Sequence, residues 1–220
     1  MTTESKTESQ NDLKHRLIDQ YKEYLLLHGQ NPASVYAFCK ELEISEADFY
    51  RYFSDFDQIA AHFWLSLFEE NKGKLEQSEE WNSFSVREKL LSFYFSFFEA
   101  LKSHRSYALL ILKEVHIANP RGITELKEIK NAFKEWAKDL ISEGQQKHEI
   151  ASRSKLNDVY DDLFWLQFLF LLDFWRKDRS PSFESSDEAI EKSVNLSFDL
   201  IEKNALDSAF DFGKFIFQNR

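Results

Sequence analysis

Apolar residues recur every three or four positions along most of the chain, which is the spacing of one face of an α-helix. No stretch shows the strict apolar–polar alternation of a half-buried β-strand. The pattern predicts an all-α fold of about ten helices. They are expected at 12–28, just after Ser34, at 46–52, from 55 or 57 onward, and at 85–104, 107–117, 124–145, 156–176, 186–203 and 206–218. Ser34 and Ser45 are expected to cap the starts of their helices, and Gly29 the end of the first helix.

The composition agrees with helices and adds an aromatic excess. Gly and Pro are scarce, at 5 and 3 residues, which favours helices over sheets. Phe accounts for 22 of the 220 residues. This excess predicts either a filled aromatic core or an apolar cavity, and the sequence leaves both readings open.

Charge and cysteine content narrow the class of protein. The net charge of −10 argues against broad affinity for nucleic acid or anionic membranes. Cys39 is the single cysteine, so no intrachain disulfide forms. The longest apolar run, 163–172, is too short for a bilayer, which needs about 20 residues. Without a signal-peptide pattern, a cytoplasmic protein with no membrane insertion is expected.

No motif in the chain indicates catalysis or a metal site. The six histidines include no pair spaced i, i+4, and the five glycines form no phosphate-binding loop. No Ser, Cys or Lys lies in a nucleophile signature. We therefore expect a protein that is not an enzyme and that holds no metal or cofactor.

Residues 12–64 contain Gly29, Ser34-Val35 with Phe38, Ile44-Ser45, and FYRYF at 49–53, followed by Asp57 and Ile59. With these residues, the segment resembles the N-terminal domain of the tetracycline repressor (TetR) family. The resemblance implies a helix-turn-helix head at 12–56 and a helical ligand-binding and dimerisation body at 57–220. Residues 1–11 are expected to form a disordered tail.

The head departs from the family pattern in its charge. Glu43 stands where the family usually has Gly, Glu46 where a basic residue is usual, Asp48 where a small hydroxyl residue is usual, and Phe56 where a phosphate-binding Lys is usual. Over residues 12–64, nine acidic residues oppose five basic ones, a net charge of −4. Since phosphate neutralisation supplies much of the affinity for DNA, weak DNA binding is predicted.

Individual residues of the head carry two kinds of prediction. Phe49, Tyr50 and Phe53 are expected in the core, and Arg51 in a solvated or salt-bridged position. If DNA binding is retained, hydrogen bonds to the phosphates are expected from Ser34, Tyr36, Ser45, Tyr50, Arg51 and Tyr52.

The body carries a predicted ligand site and a predicted dimer interface. The resemblance supports a pocket for an apolar or lipid-like ligand, lined by Tyr94, Phe97, His116, Trp136, Tyr160, Phe164 and Phe168. The last long helices are expected to form a four-helix homodimer interface through Phe170, Phe174, Ile190, Val194, Phe198 and Ile201.

Two functions follow. The first is a dimeric TetR-like transcriptional regulator whose DNA binding responds to an apolar ligand. The alternative is a protein of the same fold that does not bind DNA and holds a lipid-like ligand or a protein partner. The resemblance favours the first function, and the acidic head favours the second.

Overall fold

A computed structural model describes residues 4–112, 124–150 and 157–202. Over these ranges the fold contains nine α-helices, three short 3-10 turns and no strand, which confirms the all-α prediction. The helices are α1 (Glu4–His28), α2 (Val35–Glu41), α3 (Glu46–Tyr50), α4 (Phe56–Glu76), α5 (Val86–Lys102), α6 (Arg105–Ile111), α7 (Lys127–Gln146), α8 (Asn157–Lys177) and α9 (Glu184–Glu202).

The largest difference from the predicted helix boundaries is at the start of α1. Helix α1 begins at Glu4, inside the segment expected to be a disordered tail. Helix α6 is described only as Arg105–Ile111, because the rest of the predicted helix at 107–117 lies largely outside the described residues. The predicted helix at 206–218 lies outside them as well. Among the described residues, no helix is both long enough and apolar enough to cross a membrane.

The chain divides into two compact units. The first, called the head unit, consists of Met1–Ser66 and Leu101–Glu128. The second, called the body unit, consists of Leu67–Ala100 and Ile129–Arg220. The division falls within α4, and the head unit includes α6 as well as the three helices of the predicted head.

Aromatic rings form the core of the head unit. Phe38 and Phe49 make edge-to-face contacts with Phe56, at centroid distances of 5.5 and 5.7 Å. The Tyr21 ring stacks on Phe56 at 5.1 Å. Such pairs stabilise a core by about 0.5–1.5 kcal/mol beyond the burial of their surface. The predicted core positions Phe49 and Phe53 are confirmed, since both side chains are buried.

The body unit has an aromatic core of its own. Phe133 and Phe168 lie 5.4 Å apart at its centre. Phe93 contacts Trp136 at 4.6 Å, and Trp165 stacks on Phe168 at 5.3 Å. These contacts come from α5, α7 and α8, whose apolar stripes converge on one another.

Candidate nucleic-acid interface

Helices α2 and α3 are joined by a tight turn whose ends are capped as the sequence predicts. The Ser34 hydroxyl accepts a hydrogen bond from the Ala37 amide at 3.1 Å, which starts α2. Helix α2 ends in a Schellman motif: the Ile44 amide donates to the Cys39 carbonyl at 3.0 Å, and the Glu43 amide donates to the Lys40 carbonyl at 3.3 Å. This motif requires a left-handed residue, and Glu43 has φ 57°. The family's usual Gly at this position therefore has a physical reason.

Asp48 and Arg51 carry opposite charges and form an ion pair with each other, and Asp48 also forms hydrogen bonds with Ser45 at the start of α3. The Ser45 hydroxyl accepts from the Asp48 amide at 3.1 Å and donates to the Asp48 carboxylate at 2.7 Å. The hydrogen bond from Ser45 and the nearby Arg51 guanidinium lower the pKa of Asp48. The Arg51 guanidinium lies 3.3 Å from the Asp48 carboxylate, which agrees with the prediction of a salt-bridged surface residue. Asp48 thus stabilises the start of α3, and its negative charge offsets the positive charge of Arg51.

The structure divides the predicted DNA-contact residues into exposed and engaged groups. Tyr36 and Tyr50 are 60% and 54% exposed. The core prediction for Tyr50 is therefore wrong: its ring lies at the surface, edge-on to Phe49 at 5.5 Å, because Phe49 and Phe53 fill the interior. The Tyr52 hydroxyl is buried, with no hydrogen-bond partner among the described residues, so it does not reach the surface that a phosphate would contact.

Phe56 cannot stand in for a phosphate-binding residue. Its ring is buried among Tyr21, Phe38 and Phe49. Helix α4 is started instead by Asp55, whose carboxylate accepts from the Gln58 amide at 2.9 Å. The interpretation of Phe56 as a simple loss of surface charge is therefore incomplete, since the residue gained a structural role in the head core.

Most basic side chains of the helix-turn-helix segment have partners within the chain. Arg16 donates to the Leu42 carbonyl at 2.9 Å, and Lys22 donates to His104 Nδ1 at 3.1 Å. The Lys14 ammonium lies 6.0 Å from the centre of the Phe53 ring. Lys40 is exposed, and Arg51, which pairs with Asp48, is exposed as well. The surface therefore offers few cations for phosphate contact.

The predicted ligand-pocket residues come together, but as rings packed against one another. Tyr94, Phe97, Trp136, Tyr160, Phe164 and Phe168 are all buried. Phe97 and Tyr94 contact Phe168 at 5.3 and 6.4 Å, and the Tyr94 hydroxyl donates to the Phe164 carbonyl at 3.1 Å. Burial raises the pKa of Tyr94. His116 lies outside the described residues. A ligand role for these residues stays a prediction.

The predicted dimer residues on α9 require a correction. Ile190, Val194, Phe198 and Ile201 are all buried within the chain. The Phe198 ring stacks on Phe164 at 5.9 Å, since α9 lies along α8 and is covered by it. An apolar stripe of this kind indicates burial, and here the covering helix belongs to the same chain.

The exposed apolar surface lies elsewhere on the same two helices. Leu166 and Phe170 on α8 are 53% and 50% exposed, and Leu196 on α9 is 58% exposed. With Phe174, they form what we call the α8–α9 face, which includes a groove of about 450 Å³. Phe170 and Phe174 were predicted for the interface. Leu166 was missed, although its i, i+4, i+8 spacing with Phe170 and Phe174 is visible in the sequence.

The head geometry defines a class: a three-helix unit with a helix-turn-helix, in a chain whose second unit is a larger helical body. Among the described residues, no group of three or more His, Cys, Asp or Glu is arranged to hold a metal ion. Residues 89–216 match the family model of the tetracyclin repressor-like C-terminal domain. Because this match covers more than half of the chain, the protein belongs to the tetracycline repressor-like family. Comparison with curated proteins finds no match.

Family membership was indicated by residues 12–64, and it is confirmed by a different part of the chain. The family model covers α5 to α9 and none of α1 to α4. The two parts of the sequence therefore give the same classification independently.

Proposed function

We propose that this protein is a dimeric transcriptional regulator that binds duplex DNA through α2 and α3, with low affinity. The observation that carries the proposal is the preserved helix-turn-helix: both helix starts are capped by serine, the turn keeps its Schellman motif, and Tyr50 and Arg51 are exposed. Tyr36, Tyr50 and Ser34 supply neutral hydrogen-bonding groups. Such groups position a protein on DNA without releasing many counterions.

Dimerisation through the α8–α9 face would place two heads on one duplex. Leu166, Phe170 and Leu196 are exposed leucine and phenylalanine side chains on adjacent helices, and two copies of such a face bury one another in a four-helix arrangement. A twofold pair of heads reads two half-sites, so an operator with inverted symmetry is expected.

Selection of fragments from a random duplex library tests the proposal. The full chain should enrich an inverted repeat at low salt and lose it at moderate salt. Arg51→Ala should abolish the enrichment, whereas Lys74→Ala, which removes an exposed cation of the body unit, should leave it unchanged. Failure to enrich any sequence at low salt would overturn the proposal.

A second function is favoured by one observation, the engagement of Arg16, Lys22 and Arg51 within the chain. A head with so few available cations is expected in a family member that does not bind DNA. Such a protein would bind a lipid-like ligand in its body or a protein partner at its surface. The same selection distinguishes the two functions, because a protein that does not bind DNA would enrich no fragment at any salt concentration.

We also propose that an apolar ligand enters the aromatic core of the body unit. Phe97 and Phe168 are in ring contact there, Phe164 stacks on Phe198, and rearrangement of such rings would open a site for a flat or acyl-chain compound. A thermal-shift screen with fatty acids and quinones, followed by native mass spectrometry, should detect a bound species. Absence of any shift would leave the rings as a filled core.

A further inference from the structure

A shallow groove between the second half of α1 and the end of α2 exposes apolar surface on the head unit. Tyr24, Leu27, Phe38 and Leu42 contribute to its lining, and its volume is about 180 Å³. Leu27 is 74% exposed, more than any other large apolar side chain of the described residues. Leu26, its neighbour, is 43% exposed. Neither Leu26 nor Leu27 belongs to the buried core of the head.

Glu23 on α1 and Glu41 on α2 line this α1–α2 groove, and Asp19 and Glu43 lie near them in the sequence. Asp19 and Glu23 precede Leu27 at intervals of four residues, which places all three on one side of α1. Glu41 and Glu43 lie on either side of Leu42. All four carboxylates are exposed, and none has an ion-pair partner among the described residues.

Two further polar features lie near the groove. The Arg16 guanidinium donates to the Leu42 carbonyl, so it is held at the end of α2. The His28 imidazole stacks on Tyr24 at 4.0 Å and contacts the Tyr24 carbonyl at 2.9 Å. The four carboxylates near this apolar groove therefore outnumber the two cations, Arg16 and Lys40.

We propose that the α1–α2 groove docks a cationic amphipathic segment of a partner protein. One or two apolar side chains of that segment would enter beside Leu27, and flanking Lys or Arg residues would pair with Glu23 and Glu41. Charge complementarity selects this occupant. Duplex DNA would bring phosphates against the four carboxylates, and a second copy of the same surface would set two acidic frames against each other.

This surface differs from the proposed DNA-contact residues. Tyr36, Tyr50 and Arg51 do not line the groove. The proposal therefore adds a protein–protein contact to the head, and it does not depend on whether the head binds DNA.

Short fluorescein-labelled helical peptides test the proposal by fluorescence polarisation with the full chain. One set carries Leu or Phe on one face, flanked by Lys or Arg, and the matched set carries Glu at the flanking positions. Members of the cationic set should bind at least roughly tenfold more tightly than their acidic counterparts, and binding should weaken as salt rises.

Variants of the groove locate the binding. Leu27→Ser should weaken the best cationic peptide roughly tenfold, the effect of losing one buried leucine contact. Glu23→Gln combined with Glu41→Gln should weaken it and flatten its salt dependence. Phe95→Ser and Glu76→Gln remove an exposed Phe and an exposed Glu of the body unit, and they should change nothing.

Two results would overturn the proposal. They are equal binding of the cationic and acidic sets, and unchanged affinity in Leu27→Ser. Because Leu27 is exposed, Leu27→Ser should unfold at the same temperature as the wild type, and circular dichroism checks that its effect is not one of folding.

Discussion

Glu43 holds the turn of the helix-turn-helix in a backbone conformation that L-residues adopt at a cost. Its φ of 57° lies in the left-handed region, where a Cβ crowds the backbone by roughly 1–2 kcal/mol. Glycine avoids this strain, although it loses more conformational entropy on folding. Glu43→Gly should therefore raise the free energy of unfolding of the head by about 1 kcal/mol, measured by urea denaturation.

A matched glycine substitution shows whether this effect comes from the left-handed backbone. Ala47 is exposed and lies within α3, where glycine costs about 1 kcal/mol relative to alanine. Ala47→Gly should lower stability while Glu43→Gly raises it. A loss of stability in both variants would show that Glu43 is not strained.

Asp178 fixes the connection between α8 and α9. Burial raises the pKa of its carboxyl, but hydrogen bonds from the amides and hydroxyls of Ser180 and Ser186 outweigh that effect and hold the pKa at about 2. The carboxyl's ordinary pKa is 3.8. A depressed pKa stabilises the folded state above the ordinary pKa, and this contribution is lost as pH falls through the folded-state value.

Asp178→Asn should remove that contribution, because its amide group cannot accept the bonds that one carboxylate oxygen accepts. The expected loss is about 2 kcal/mol at pH 7, and the difference from the wild type should shrink between pH 4 and pH 2. Chemical denaturation across this pH range measures it. A difference that stayed constant with pH would show that the charge of Asp178 does not stabilise the fold.

At the scale of elements, α8 and α9 divide their apolar residues between two tasks. Ile190, Val194 and Phe198 bind α9 to α8 within the chain, while Phe170 and Leu196 remain exposed. Phe170→Ser with Leu196→Ser should therefore give a folded monomer at micromolar concentration, where the wild type is expected to be a dimer. Each dimer would lose four buried apolar side chains, worth about 1.5–3 kcal/mol each.

Light scattering with circular dichroism distinguishes the two sets of residues. Phe95→Ser, at another exposed Phe, should remain dimeric. Val194→Glu should unfold the body unit, since it buries a charge where α9 packs on α8. A wild-type monomer, or a dimer that survives the double substitution, would contradict the assignment of the α8–α9 face.

Local sequence signals predicted the caps and the head core well. Ser34, Ser45 and Gly29 act through hydrogen bonds to residues at most four positions away, so the sequence contains all the information they need. Tyr50 was assigned to the wrong environment, because FYRYF offers more aromatic rings than one small core accommodates. Which ring is excluded depends on how α1 and α4 pack against α3.

The proposed dimer face was also only partly predictable from the sequence, because it depends on contacts between residues far apart in the chain. Helix α8 is apolar on nearly all sides, so its sequence does not reveal which side α9 covers. The stripe on α9 is indistinguishable in sequence from an intersubunit stripe. For the whole molecule, family membership came from motifs in the head and was confirmed by the body, whereas the placement of exposed apolar residues required the fold.

The head that we propose to bind DNA has few available cations. Two heads offering Lys40 and Arg51 would contact about four phosphates, so log K should change with log salt concentration with a slope of about −4 or shallower. Glu46→Lys adds one exposed cation to each head of a dimer and should steepen the slope by about 2. Glu76→Lys, with the same charge change outside the head, should leave it unchanged.

Fluorescence anisotropy with a random duplex, titrated across a salt series, is the most direct measurement. The wild type should bind weakly with a shallow slope that Glu46→Lys steepens and Glu76→Lys does not. Tight wild-type binding with a slope of about −8 or steeper would contradict it, because that requires roughly twice as many phosphate contacts as the head's available cations supply.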